Sequence, residues 1–324
     1  MNRNPRNGEP VVEKVCPDLI EEAHPDLYQK NAFRTLRIMA GATDRQINRQ
    51  AQKWVLWFKA GLGDGAGGDS PDIMEGPPGR EALRRAMERL REPPLRFLDE
   101  FFWFWPVRDE RACFDSTAYG QMFKGSAEEA RWIWDELGRI GKGQLIYCHN
   151  MAVLAHALAL DLEEAVDSPR GNEDTWRKRD FFWGKAFEYW NRCIFQEAFW
   201  QRIRERVRLN GDPRLTTGFV RRFRESLPLA LTRINADYSL RYTERGNIEE
   251  ARRHWGLIQN SGFDPDLAGQ ALQLVSGPLV EYVKHQCLLV RKKIERQPAK
   301  AQEFCRMLFQ QTEKMLGMIR DVRL

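Results

Sequence analysis

The sequence predicts an all-α protein. Three observations carry that expectation. Apolar residues recur at i, i+3, i+4 and i+7 along most of the chain. Helix start and stop residues bracket those stretches. Period-two alternation of the kind a strand needs is sustained nowhere.

Residues 1–22 are polar and hold prolines, and read as a loose leader. From Leu27 the pattern turns helical, with Tyr28, Ala32, Phe33 and Leu36 on one side. The preceding His24-Pro25-Asp26 suits a helix entry: Pro25 fits the first turn, and Asp26 the positive end of the helix dipole. "GATDRQ" breaks and restarts the chain. Thr43 can cap, and Gln46 three residues on completes a capping box. Ile47, Ala51, Trp54, Val55 and Phe58 then form an amphipathic stripe, with Arg45, Arg49, Lys53 and Lys59 on the other face.

Residues 61–79 hold seven glycines and three prolines and cannot form a regular element. They are no phosphate loop: no strand precedes them, no Gly-Lys-Ser/Thr ends them, and Asp64, Asp69, Asp72 and Glu75 make them acidic. Leu83, Ala86, Met87 and Leu90 line the next helix, which Pro93-Pro94 ends. Pro94 opens another, expected to run to Pro106. Its Phe101, Phe102, Trp103, Phe104 and Trp105 surround a whole turn, so neighbours must cover both sides; an inter-domain core is expected there.

Beyond residue 126 nearly everything reads as helix. Ser126 with Glu129 starts one that ends at Gly141. "QLIYCHNMAVLAHALALDLEEA" has a well-buried pattern. Residues 174–207 read as one long helix with Gly184 as a weak point, and further helices are expected at 216–244, 247–260, 265–295 and 299–322.

Composition narrows the function classes. With 42% hydrophobic and 30% charged residues the 324-residue chain is ordinary for a globular protein, and a net charge of +5 does not by itself indicate nucleic acid. Cys16, Cys113, Cys148, Cys193, Cys287 and Cys305 form no CxxC pair, so neither zinc nor a disulfide framework is expected, and reduced thiols fit a cytoplasmic protein. The N-terminus has no apolar signal core, and no run approaches 18 apolar residues, so no membrane partner is expected. His149 and His156 lie two turns apart on one helix face, too few ligands for a metal site, and read as polar residues beside a core. Catalytic, cofactor and metal residues are therefore expected to be none. The strongest basic patch is 200–226, with eight arginines against three acids; Arg221, Arg222 and Arg224 are its binding candidates.

Two resemblances appear. Residues 31–100 resemble a J-domain. "NAFRTLRIMAGATDRQINRQAQKW" looks like its short first helix, small turn and basic second helix, and Leu90, Pro93, Arg96, Leu98 and Asp99 sit on its closing pattern. The family's His-Pro-Asp tripeptide belongs in the loop after the second helix; here that loop is 61–79 and has no His, while His24-Pro25-Asp26 lies before the first helix. The resemblance implies Arg45, Arg49 and Lys53 as a face for docking a DnaK-type chaperone; the displaced tripeptide leaves two readings, docking without ATPase stimulation and a purely structural cap. "YSLRYTERGNIEEARRHWGLI" (238–258) is similar to a tetratricopeptide repeat, with Tyr242, Gly246, Ala251 and Trp255 at the family's spacing, and 149–159 with 183–193 is a looser copy. Ala236 and Leu240 stand where one subtype grips carboxylates, so no such clamp is implied.

The expected organisation is a leader (1–22), a J-domain-like helical module (23–106) and an irregular helix-hairpin, tetratricopeptide-like array (107–324). The expected function is a bacterial, cytoplasmic, non-catalytic protein-binding scaffold or chaperone adaptor. The alternative is a nucleic-acid-associated protein using 200–226.

Overall fold

A computed structural model describes residues 18–61, 78–106, 127–139, 144–166 and 172–321. All regular structure among them is helical, with no strand, so the all-α expectation holds. The helices are α1 (Leu19–Glu22), α2 (Ala32–Leu36), α3 (Asp44–Lys59), α4 (Arg80–Arg91), α5 (Pro93–Phe101), α6 (Ala127–Arg139), α7 (Gln144–Val166), α8 (Glu173–Ile194), α9 (Glu197–Asn210), α10 (Thr217–Glu244), α11 (Ile248–Gln259), α12 (Pro265–Arg296) and α13 (Ala301–Asp321). A 3-10 turn, Pro298–Lys300, joins the last two. The Ser126 cap, the Gly141 stop and the loop 62–77 fall outside the described residues.

Local chemistry sets several ends. Thr43 and Gln46 form the expected capping box on α3. Asn31 caps α2, taking the amides of Phe33 and Arg34, and its own amide donates to the carbonyls of Asp99 (2.8 Å) and Phe102 (3.2 Å). One side chain thus starts α2 and fastens it to α5. Arg89 forks onto Asp99 and reaches Glu22, while Arg96 joins Asp44 (2.6 Å) and the Ala42 carbonyl (2.8 Å). Arg96 and Asp99 on α5 therefore hold α3, α4 and α5 together.

Four expectations are corrected. Leu19 is buried in α1, so residues 19–22 belong to the packed structure. Residues 24–30 form turns instead of a helix entry, and Asp26 pairs with Lys30 (2.6 Å). Helix α5 stops at Phe101, because the next residues spend their backbone on distant partners: Ala40 donates to the Phe104 carbonyl (3.2 Å), and Asn150 bonds both the amide and the carbonyl of Trp105 (2.8 and 3.0 Å). The long helix expected over 174–207 is two, broken at Phe195-Gln196, where the Trp200 indole takes the Ile194 carbonyl (2.7 Å).

The hydrophobic core is continuous across position 106, running from α1–α5 into α6–α12. Its centre is the aromatic cluster. Phe101 stacks on Trp190 (5.7 Å) and meets Phe223 edge-on (4.7 Å), and Phe97 meets Phe219 and Phe223. Rings at these spacings each add roughly 0.5–1.5 kcal/mol beyond their burial. Ion pairs cross the same seam, from Arg34 to Asp161 and from Arg206 to Glu100.

Helix α7 is long and apolar enough by composition to cross a bilayer, but 78% of that apolar window is buried within the protein, and it reads as the central core helix. Helices α10 and α11 form a hairpin closed by Gly246 at φ +76°, where the amides of Gly246 and Asn247 return to Thr243 and Tyr242. Ser239 donates to the Ala251 carbonyl (3.0 Å), a close approach that a small residue permits.

Candidate functional site

Helix α3 lies against the core along Ile47 and Ala51, with Trp54 half-buried beside them. Trp54 is fixed by its indole bond to the Leu36 carbonyl (3.3 Å) and by the Arg37 guanidinium over its ring (5.3 Å). It in turn holds Trp57 edge-on at 6.3 Å. At 100° per residue, Arg45, Arg49, Lys53 and Leu56 fall within an arc of about 80° on the opposite side. The three cations are exposed and form no ion pair among the described residues. Leu56 is 64% exposed and Trp57 37%. The sequence-predicted Arg45, Arg49 and Lys53 are thus brought together as a free stripe beside uncovered apolar side chains.

Val55 departs from expectation. Its spacing puts it on the apolar stripe, but it is exposed at the rim of an apolar groove of about 400 Å³ between α3 and α4, with Ala51, Phe58, Leu83 and Met87. Arg80 covers Phe58 (5.4 Å) at one end. The helical period alone gives the side of a residue; it does not say how far the neighbouring helix reaches.

The arginines of 200–226 are dispersed over α9, its following turn and α10, and much of their charge is spent inside the molecule. Arg204 and Arg224 both grip Glu197 (2.7 and 2.6 Å), Arg206 holds the buried Glu100 (2.8 Å by Nε), and Arg214 joins Asp212 and Glu92. Arg224 also lies over Trp200 (5.4 Å). Of the three candidates, Arg221 and Arg222 are exposed, Arg221 with a long 4.0 Å pairing to Glu225, while Arg224 is engaged. A cleft of about 300 Å³ between α5 and α9 is lined by Phe97, Trp105, Arg202 and Glu100, and by none of the three candidates; this acid is already neutralised by Arg96 and Arg206.

The one group with metal-ligand spacing is Glu163, Glu250 and His254, whose ligand atoms lie within 4.8 Å of one another among the described residues. Its neighbours disqualify it. Glu163 is fully buried on α7 and accepts from the Trp183 indole (2.8 Å), the Tyr242 hydroxyl (3.0 Å) and Arg253, with Arg179 at 3.6 Å. Arg179 also meets Glu250 (2.9 Å) and Asp180 (3.1 Å). Two guanidiniums occupy the positive place that a metal would take, so this is an ion-pair hub joining α7, α8, α10 and α11. Burial alone would raise the Glu163 carboxyl; its basic partners His254, Arg253 and Arg179 more than reverse that and hold it below the usual carboxylate range. Burial also holds His254 below its ordinary value, against the pull of Glu163. The His254 ring nitrogens reach the Asn235 side-chain oxygen (Nδ1, 2.9 Å) and the Glu163 carboxylate (Nε2, 3.2 Å), with an Arg253 nitrogen 2.8 Å from Nε2.

His149 and His156, read from the sequence as polar residues beside a core, lie inside it. His149 donates to the Phe101 carbonyl (2.7 Å) and stacks on Trp105 (3.7 Å), and His156 pairs with the Tyr28 hydroxyl (3.2 Å). Burial pushes both imidazoles down to about 3. His24 is tied to Asp237 on α10 (3.0 Å), so the tripeptide links the N-terminal segment to α10. No family model, curated protein or solved structure matches this chain.

Proposed function

We propose that the protein is a non-catalytic protein-binding scaffold, an adaptor of the co-chaperone kind, that engages a partner through the outer face of α3. One observation carries this: Arg45, Arg49 and Lys53 stand unpaired in one stripe, beside exposed Leu56 and Trp57. Cations flanking uncovered apolar side chains give both steering and contact area to a protein partner. The resemblance of α2–α5 to a J-domain makes a DnaK-type chaperone the first partner to test. Binding without ATPase stimulation is expected, since His24 is engaged by Asp237. The free thiols of Cys148, Cys193, Cys287 and Cys305 support action in the cytoplasm.

The test is binding and ATPase stimulation with the source organism's own DnaK-type chaperones. Wild type binds and does not stimulate; the triple variant Arg45→Glu, Arg49→Glu, Lys53→Glu loses binding; His24→Gln behaves as wild type. Binding that survives the triple reversal, or no binding at all, sinks this reading. Nucleic acid is the alternative, resting on exposed Arg208, Arg221 and Arg222. It requires affinity that falls steeply with salt and vanishes when Arg221 and Arg222 become Glu.

A further inference from the structure

Helices α5 and α9 face each other across the cleft of about 300 Å³. Its α5 wall is Phe97, Glu100 and Phe101, and its α9 wall is Arg202, Glu205, Arg206 and Leu209. The first set is spaced i, i+3 and i+4, the second i, i+3, i+4 and i+7, so each wall is a single helix face. Trp105, past the end of α5, completes the lining.

The apolar part of this lining is mostly aromatic. Phe97 and Phe101 are held by the core, Trp105 is half-buried, and Leu209 is 77% exposed. The charged part carries both signs, and its members are not equivalent. Glu100 is buried and already holds Arg96 and Arg206, so Glu100 and Arg206 act as a matched pair. Arg202 carries its guanidinium over the Trp105 ring (5.9 Å). Glu205 is exposed and has no ion pair among the described residues. The cleft therefore offers a cation set over an aromatic ring and, one helical turn along, a carboxylate without a partner.

We propose that this cleft binds a free aromatic α-amino acid. The ligand ring lies on the Phe97, Phe101, Trp105 and Leu209 surface, its carboxylate meets Arg202, and its ammonium meets Glu205. Side chains at i and i+3 start about 5–6 Å apart, so two ligand charges borne on neighbouring atoms of one carbon centre can reach both. An aromatic acid without the amine leaves Glu205 facing a like charge. An aromatic amine without the carboxylate faces Arg202 and Arg206. The cleft shares no residue with the α3 stripe, so this binding does not depend on partner docking there.

The full-length chain is titrated with L-phenylalanine by calorimetry. Three comparison ligands each lack one part: 3-phenylpropionate the amine, phenethylamine the carboxylate, and L-alanine the ring. L-Phenylalanine is expected to bind saturably, and each of the others at least tenfold more weakly. Arg202→Gln and Glu205→Gln, both at exposed positions that leave the fold intact, separate the two charges. Arg202→Gln should weaken L-phenylalanine at least tenfold without weakening phenethylamine. Glu205→Gln should weaken L-phenylalanine at least tenfold without weakening 3-phenylpropionate. The α3 triple reversal should leave the titration unchanged, so failure of this site and failure of α3 docking are read separately. No saturable heat with L-phenylalanine, equal binding of any comparison ligand, or L-phenylalanine binding untouched by either variant would each overturn the proposal.

Discussion

Replacing Glu163 with Gln removes one charge while keeping the side chain's shape, and the structure gives the cost. One carboxylate oxygen takes the Trp183 indole and Arg253, with His254 Nε2 at 3.2 Å, the other takes the Tyr242 hydroxyl, and Arg179 lies beyond. The amide nitrogen of Gln would face Trp183 and Arg253, which can only donate, or displace the hydrogen bond that Tyr242 donates. Arg253 and Arg179 also lose their fully buried counter-charge. Removing one partner of a buried ion pair costs about 3–5 kcal/mol, because the other is left uncompensated in a poorly polarisable place. The assay is urea unfolding at pH 7 with far-UV circular dichroism: the midpoint should fall with the slope unchanged. Glu164→Gln, at the exposed neighbouring position, should stay within about 0.5 kcal/mol. The pH dependence gives a second reading. The native carboxyl is held below its ordinary value, so its contribution is present above the ordinary carboxylate range and is lost as pH falls through the native value. That acid-limb loss should shrink in Glu163→Gln. A loss under about 1 kcal/mol at pH 7 would refute the hub as an energetic centre.

The remaining predictions concern the core, one turn and the surface. His149 and His156 stay neutral in the native protein down to about pH 3, whereas unfolded histidines take up protons below about 6.5. Stability should therefore fall as pH drops from 6.5, and His156→Gln should flatten the slope between pH 6 and 5 by up to about 1.4 kcal/mol per unit. Phe101→Ala opens the centre of the aromatic cluster and should cost about 3–5 kcal/mol by the same urea assay. Gly246→Ala meets no atom within 4 Å but must hold φ +76°, so about 1–2 kcal/mol of strain is expected in its unfolding midpoint. The α3 triple reversal, at exposed unpaired positions, should leave that midpoint within about 1 kcal/mol, showing that its effect on binding is not an unfolding effect.

Helix order was legible because each helix carries its own signals, as Thr43 with Gln46 does for α3. Where backbone groups answer to distant partners, the chain gave no local sign. Trp105 bonds Asn150 forty-five residues on, and nothing between residues 101 and 106 announces that α5 has already ended. The same holds at Phe195-Gln196, a break without glycine or proline. The cation stripe of α3 was legible, since i, i+4 spacing alone places Arg45, Arg49 and Lys53 together. The Glu163 hub was not, because its partners come from 20, 79 and 90 residues away. Nor was the exposure of Leu288 on α12 and Phe309 on α13: periodicity marks a helix as amphipathic but is silent on the presence of a covering helix in the same chain.

The aromatic centre also sets a timetable for synthesis. Phe97 and Phe101 emerge early, yet two of their ring partners, Phe219 and Phe223, follow some 120 residues later. At 5–20 residues per second that is roughly 6–24 s during which the nascent end of α5 and the residues after it offer "FFWFW" to whatever is near. The N-terminal segment therefore cannot complete its packing on the ribosome until α10 arrives. Truncations ending between α5 and α10 should aggregate where the full chain does not.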